Sequence, residues 1–238
     1  MHLSAENLPF RELNERVKAA PGEVQIDNCY GQPFVGSGCK DKSIIIYGTP
    51  GNALGAYLDG AEIVVHGNAQ DAVGDTMNDG RIVIHGHAGD ALGYAMRGGK
   101  IYVRGNAGYR TGIHMKQYQE KRPVIVVGGK VGSFLGEYLA GGLIVVLGLG
   151  VEEIPVGSFT GTGMHGGRIY IRTKQKLSGL PPQVTAEIAS DAEMGEIMPF
   201  LAEFAGLFDL DLKQFAFDQY YVLKPNAKSP YKKLYTAH

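Results

Sequence analysis

The stretch of sequence that decides the fold is residues 63–105, IVVHGNAQDAVGDTMNDGRIVIHGHAGDALGYAMRGGKIYVRG. Three strand-like segments within it, IVVHG, IVIHG and IYVRG, begin 19 residues apart. Between successive segments, glycine or alanine returns in steps of 7, 6 and 6 residues. A fixed period of this length indicates a repeat architecture, so each repeat is predicted to be one coil with three sides and three corners.

Glycines mark the predicted corners well beyond this stretch. Two insertions interrupt the period: about four residues between Gly112 and Gly128, and a longer excursion after Gly148. Glycine suits such corners because it accepts positive φ and lets a second backbone approach closely. The predicted corner glycines are Gly48, Gly55, Gly67, Gly74, Gly86, Gly93, Gly105, Gly112, Gly128, Gly136, Gly148 and Gly161.

Short strands joined by glycine corners predict an all-β fold, a single-stranded right-handed parallel β-helix with about 19 residues in each three-sided coil. Because successive side chains of a strand point to opposite faces, alternate residues should line the interior. Ile63 and Val65 in one strand are therefore predicted to stack on Ile82 and Ile84 in the next. Repeated over many coils, these two columns form a continuous apolar core.

The residues that alternate with the inward columns form an outward stripe that is also apolar. A continuous apolar stripe on the outside of a solenoid should not face water. Two coverings remain open, which are the terminal segments of the chain and the surface of a partner protein. The predicted stripe consists of Val64, Val83, Tyr102, Ile125, Val145 and Tyr170.

The chain divides into three predicted segments. Residues 1–22 form an N-terminal helix that ends at Pro21 and Gly22. Residues 23–173 form the β-helix repeat domain, and residues 174–238 form a C-terminal helical extension and tail. In the last segment SDAE, residues 190–193, fits a capping box, and apolar residues follow it at helical spacing.

The composition excludes several classes of partner and cofactor. The 238 residues include 23 Lys and Arg and 24 Asp and Glu, for a formal net charge of −1, which gives no reason to expect nucleic acid or a membrane as a partner. No apolar run has the length of a signal peptide or of a membrane span, so we expect a cytoplasmic protein. The two cysteines, Cys29 and Cys39, lack the CxxC spacing of metal and iron–sulfur sites, and no cofactor or metal is predicted in this chain.

Two motifs suggest chemistry but have simpler structural explanations. GTGMHG, residues 161–166, fits the GxGxxG pattern of dinucleotide-binding loops, yet a strand follows it where that motif requires a helix. His66 and His85 occupy the same repeat position, where stacked imidazoles could bind a metal or transfer protons. Because Tyr47 and Arg104 flank the pair in register, a polar ladder on an exposed strand is the favoured interpretation.

A pair of acidic residues, Asp71 and Asp90, also stacks at one corner. Carboxylates one coil apart could share a proton or a cation. Hydrogen bonding to turn amides is the more ordinary role of an aspartate at such a corner. The sequence therefore predicts no catalytic residues.

The repeat resembles a known family. The segment GNAQDAVGDTMNDGRIVIHGHAGDALGYAMRGGKIYVRGNAG, with EYLAGGLIVVLG and GTGMHGGRIYIR further along, is similar to the GXGXG-repeat C-terminal domain of the glutamate synthase large subunit. It is similarly close to the β-helix subunit of formylmethanofuran dehydrogenase. The shared signature, G-x-x-G-x-x-M-x-x-G-x-I-x-V-x-G, covers roughly residues 44–172.

The resemblance implies a function that the residues alone do not. In glutamate synthase this domain packs against an amidotransferase domain and an FMN and iron–sulfur synthase domain, and has no known catalytic group of its own. By resemblance, the chain is a separately encoded structural subunit of a glutamate synthase-like oxidoreductase, with FMN and iron–sulfur clusters only in its partners. The alternatives are the β-helix component of a formylmethanofuran dehydrogenase-type one-carbon oxidoreductase, or a stand-alone homo-oligomeric scaffold.

Overall fold

Eleven strands form one continuous sheet in the computed structural model, which describes residues 1–226. The strands are β1 (His2–Ser4), β2 (Glu23–Tyr30), β3 (Ser43–Thr49), β4 (Asp59–His66), β5 (Asp79–Ile84), β6 (Lys100–Val103), β7 (Val124–Val127), β8 (Ala140–Val146), β9 (Gly166–Arg172), β10 (Val184–Ile188) and β11 (Tyr220–Pro225). The helices are α1 (Phe10–Ala19) and α2 (Asp191–Phe208), with a short 3-10 helix at Leu212–Gln214. The last twelve residues of the predicted C-terminal tail, 227–238, lie outside the described residues.

Strands β1 to β9 are parallel and follow one another in sequence order. They build a parallel β-solenoid of about eight turns with about 19 residues per turn, which confirms the predicted fold class. The predicted inward columns are also confirmed: Ile44, Ile63 and Ile82 pair directly on adjacent strands and are fully buried. Because each coil places apolar side chains on those below and above it, the core runs the length of the solenoid.

The register at β7 corrects two predictions. Ile125 pairs with Ile101 and lies in the interior, so it does not belong to the outward stripe; Val126, paired with Tyr102, takes that place. Gly128 is not the corner equivalent of Gly105, because the Gly129 amide donates to the Gly105 carbonyl at 2.8 Å. Both errors have one cause: two adjacent glycines end β7, and the insertion before it is one residue longer than the predicted four.

One column of corner glycines has a clear physical requirement. Gly112 has φ +71°, and a Cβ at this position would lie 2.3 Å from Cδ1 of Ile144 on β8. Gly93 repeats this arrangement one coil earlier, with a Cβ position 2.5 Å from Cδ1 of Ile125. The corner turns in the left-handed region while an inward isoleucine fills the space beneath it, so a side chain is excluded there.

The apolar outward stripe is covered by the chain itself. Helix α2 and the segment after it pack on the outer faces of β5 to β9 and bury them, while Val64 at the edge of the stripe is only partly buried. The stripe is therefore not an open partner surface, and the terminal-segment alternative is the correct one. The covering residues include Ile197, Leu201, Phe204, Ala205, Phe208, Phe215, Ala216, Tyr220 and Val222.

The capping box predicted for α2 is present. Ser190 accepts a hydrogen bond from the backbone N–H of Glu193, and the Glu193 carboxylate accepts from the Ser190 backbone N–H. Lys224 on β11 also contacts that carboxylate, at 2.6 Å. Hydrogen bonds from Lys224 and from Ser190 lower the pKa of Glu193 to about 2, so the helix start keeps its negative charge at any ordinary pH.

Two glutamates on α2 attach the helix to the sheet through matching clusters. Glu203 accepts hydrogen bonds from Arg81, Lys100 and the Tyr102 hydroxyl, at 2.8, 2.7 and 2.6 Å. Seven residues earlier, Glu196 accepts from Arg122, Arg168 and the Tyr170 hydroxyl. Each carboxylate therefore joins a tyrosine of the stripe and two cations from the strand region to one face of the helix.

The pKa of Glu203 predicts how stability depends on pH. Burial acts to raise this pKa, but hydrogen bonds from Lys100, Tyr102 and Arg81 outweigh it, and the net pKa lies below the ordinary value. A lowered carboxyl pKa stabilises the fold above the unfolded pKa, and this contribution is lost as pH falls through the folded pKa. The cluster should therefore be fully effective at neutral pH and weaken below about pH 4.3.

We expect Glu203→Gln to lower the free energy of unfolding at pH 7 by about 2 kcal/mol, because two cations lose their shared carboxylate. Urea unfolding at pH 7 and pH 3 measures the effect, and the gap between variant and native protein should close at the lower pH. Glu12→Gln is the control, since the exposed Glu12–Arg16 pair on α1 contributes at most about 0.5 kcal/mol. Equal losses for the two variants at pH 7 would contradict the role of this cluster.

Both ends of the solenoid are closed by terminal segments. At the start, Leu13 and Val17 of α1 are fully buried in the solenoid core, and Lys42 Nζ donates to the carbonyls of Val17 and Lys18 at 2.8 and 2.7 Å. At the other end, β11 pairs antiparallel with β9 and β10 pairs with β11. The antiparallel hairpin ends the stack of parallel coils at β9. Neither helix in residues 1–226 is long and apolar enough to cross a membrane.

Candidate functional site

The two histidines singled out from the sequence lie in one stacked column. The rings of Tyr47, His66 and His85 stack with centroids 4.8 and 4.7 Å apart, and Phe208 of α2 meets His85 edge-on at 5.2 Å. Arg104 continues the column, as its backbone N–H donates to the Ile84 carbonyl at the end of the neighbouring strand. The column is the polar ladder that the sequence favoured, with an aromatic cover that the sequence did not predict.

The surroundings of His85 keep its imidazole neutral at pH 7. Partial burial lowers the pKa of His85, and the nearby His66 and Arg104 lower it further. A neutral imidazole can in principle bind a metal. Within residues 1–226, however, no group of three His, Cys, Asp or Glu side chains is arranged to hold a metal ion.

The stacked aspartates accept hydrogen bonds from the backbone. Oδ1 of Asp71 accepts from the Asp90 backbone N–H at 2.8 Å, and Oδ1 of Asp90 accepts from the Tyr109 backbone N–H at 2.8 Å. Asn52 begins the series by accepting from the Asp71 backbone N–H. Each carboxylate therefore links its coil to the next through a turn amide, which is the structural role that the sequence favoured over a shared proton or cation.

A second ladder of this kind places a further histidine, His87, beside the first column. Asn68 Oδ1 accepts from the His87 backbone N–H, and His87 Nδ1 accepts from the Asn106 backbone N–H, both at 2.9 Å. Because Nδ1 is an acceptor, the ring proton of neutral His87 must reside on Nε2. Sequence reasoning missed this residue, although Asn68, His87 and Asn106 recur at the repeat period.

The GxGxxG motif does not form a dinucleotide site. Gly161 and Gly163 adopt positive φ in the corner, as the other coils do there, and the motif leads directly into strand β9. A dinucleotide fingerprint requires a helix N-terminus at that point. The match is therefore part of the repeat, as the sequence predicted.

Another corner of the solenoid exposes a set of stacked side chains that sequence reasoning missed. Phe134 and Phe159 stack with centroids 5.0 Å apart, and the Arg110 guanidinium lies 5.0 Å from the Phe134 ring centroid. Beside them His114 stacks on Tyr138 at 5.1 Å. We call this surface the aromatic corner, and it consists of Tyr94, Arg110, His114, Phe134, Tyr138 and Phe159.

The backbone does not require aromatic residues at this corner. Phe134 and Phe159 have φ +63° and +62°, a left-handed conformation that costs most side chains about 1–2 kcal/mol. Ala72 and Ala91 hold the same position in earlier coils, with the same conformation and the same type of hydrogen bond to the next coil. Alanine therefore satisfies the fold here, while Phe159 leaves 58% of its surface exposed.

The fold and its ladders define a class of protein: a parallel β-solenoid whose polar corner ladders link one coil to the next. The GXGXG motif family model matches residues 15–227, and the chain belongs to this family. This confirms the resemblance drawn from the repeat signature.

Two further comparisons agree with this assignment. The chain is 41% identical over 249 residues to an uncharacterized protein, MJ1350, of Methanocaldococcus jannaschii, an alignment that covers 98% of this chain and 95% of that protein. A chain in the crystal structure of the formyltransferase/hydrolase complex (FhcABCD) from Methylorubrum extorquens, solved with methylofuran, matches with a TM-score of 0.60 and 19% identity. That match covers 92% of this chain and 88% of the other, and at this identity it shows a shared fold.

Proposed function

We propose that this chain is a non-catalytic structural subunit of a glutamate synthase-like complex. In this proposal it packs against amidotransferase and FMN-binding synthase subunits and supports glutamine-dependent glutamate formation. FMN and iron–sulfur clusters are then carried by the partners. Membership of the GXGXG family and the resemblance to the glutamate synthase domain support this assignment.

The aromatic corner is the observation that carries the proposal. Phe134, Tyr138 and Phe159 occupy left-handed positions without being buried by their own chain. Aromatic side chains and arginine are enriched at protein interfaces, where burial of the ring returns more free energy than exposure. A partner subunit that covers these rings explains why coils near the end of the solenoid have phenylalanine where earlier coils have alanine.

The outer face of the strands is not available for this contact. Helix α2 buries the stripe from Val83 to Tyr170, and the residues of α2 that face it, such as Phe204, are fully buried. The partner surface is therefore assigned to the aromatic corner, which lies on another side of the three-sided coil.

Replacing Phe134 and Phe159 together by aspartate should weaken association with the amidotransferase and FMN-binding chains by at least about tenfold. Aspartate tolerates the left-handed conformation, so the coil should still form. Co-purification of the full chain with co-expressed partner subunits measures the effect. Phe34→Asp is the matched control, since Phe34 has φ +62° at the same corner of the first coil. Undiminished association of the double variant would contradict this surface.

The second candidate is the β-helix component of a formylmethanofuran dehydrogenase-type one-carbon oxidoreductase. The fold match to a chain of the formyltransferase/hydrolase complex favours it. The same co-purification separates the two candidates by the identity of the partner. Recovery of a homo-oligomer alone would instead favour a stand-alone scaffold.

A further inference from the structure

A cleft of about 580 Å³ lies between the histidine column and the segment that follows α2. One wall is formed by solenoid residues around His85, His87 and Arg104. The opposite wall includes Leu210 and Gln214 from the C-terminal segment. The cleft therefore exists only because α2 folds back over the outer face of the solenoid.

The side chains that line this cleft include basic groups but no carboxylate. Arg172, one of the two lining arginines, is neutralised by Asp218, whose Oδ2 lies 2.6 Å from Nε. The Arg104 side chain makes no hydrogen bond or ion pair with any residue of the described range 1–226. Its charge therefore faces the cleft region without a counter-ion from the protein.

The imidazoles beside Arg104 fit the same interpretation. His87 uses Nδ1 to accept from the Asn106 backbone, which leaves Nε2–H as a donor. The lowered pKa of His85 reflects partial burial and the positive charges near it, which no carboxylate in the cleft offsets. Leu149 and Leu210 add apolar surface, and weaker solvation beside such walls strengthens an interaction between opposite charges.

We propose that this cleft binds a small oxyanion, a carboxylate or phosphate group, with Arg104 as its principal ligand and His87 Nε2–H as a second donor. A guanidinium presents a planar set of donors that matches two oxygens of either group. The site gives the chain a ligand-binding role in addition to its proposed scaffold role, and it does not depend on which partners the chain has.

Calorimetric titration of the full chain with inorganic phosphate and, separately, with the dicarboxylate glutarate tests the site. We expect saturable binding of at least one anion, and the anion that binds more tightly identifies the favoured source. Arg104→Gln should weaken that binding at least tenfold, while Arg104→Lys should retain part of it. Arg97→Gln is the matched control, because Arg97 is an exposed arginine on the same solenoid outside the cleft.

A second measurement follows the His85 imidazole by NMR titration. A bound anion should raise the pKa of His85 in the native protein and leave it unchanged in Arg104→Gln. Failure of both anions to bind saturably, or equal binding by Arg104→Gln and Arg97→Gln, would overturn the proposal. The aromatic corner is not altered by these variants, so the outcome is separate from that of the co-purification experiment.

Discussion

Replacing Phe204 by alanine should lower the free energy of unfolding by about 3–5 kcal/mol, the largest effect that we expect from a single side chain. Phe204 is fully buried between α2 and the outer face of the sheet. Its ring meets Phe208 and Phe215 edge-on at 4.7 and 5.9 Å, and its Cζ lies 2.9 Å from the position of a Cβ at Gly128. Truncation leaves a cavity where a rigid sheet and helix cannot collapse together.

Urea unfolding at neutral pH measures this loss, with the slope of the transition checked against the native protein. Phe217→Ala is the matched control in the same C-terminal segment, because Phe217 is 76% exposed. We expect the control to change stability by no more than about 0.5 kcal/mol. If the two variants unfold at the same urea concentration, α2 does not cover the stripe in solution.

The second large effect is expected for Gly67→Ala, which should cost about 3 kcal/mol. A Cβ at Gly67 would lie 2.1 Å from the carbonyl oxygen of Gly48 in the preceding coil. Because the obstructing atom belongs to the backbone, no rotation of a side chain relieves the contact. The coils must separate locally, which stretches the hydrogen bond between the Gly86 amide and the Gly67 carbonyl, now 2.8 Å.

Gly150→Ala separates this close approach from backbone strain. Gly150 has φ +71°, but no atom lies within 4 Å of a Cβ placed there, so only the left-handed strain of about 1 kcal/mol is expected. Thermal and urea unfolding of both variants supply the comparison. A Gly67→Ala protein as stable as Gly150→Ala would show that the coils are not packed as closely at this corner as the structure places them.

The repeat could be predicted from the sequence because every coil obeys the same local constraints. Ile63, Ile82 and Ile101 recur at one period, and each must point inward if any one of them does. The prediction failed at Ile125, where an insertion precedes the strand and Gly128 and Gly129 offer two alignments. Only the pairing with β6 selects between these alignments, since a shift of one residue exchanges the inward and outward faces.

The candidate sites were less accessible to sequence reasoning. The histidine and aspartate ladders were identified because their members recur at the repeat period. The aromatic corner was missed because Phe134 and Phe159 replace alanines at a position that the glycine pattern does not mark. The clusters on α2 had one available signal, which is the spacing of seven between Glu196 and Glu203 that places both on one helix face.

The sequence by itself determined the coil length, the parallel strands and the inward columns, because period and alternation express local backbone geometry that each repeat restates. Only the tertiary structure decided that α2 covers the outer stripe, that Phe208 contacts His85 and that a cleft forms beside Arg104. These contacts join residues far apart in the chain, 101 positions for Tyr102 and Glu203. They depend on where a single helix packs, and no repeated pattern in the sequence encodes that placement.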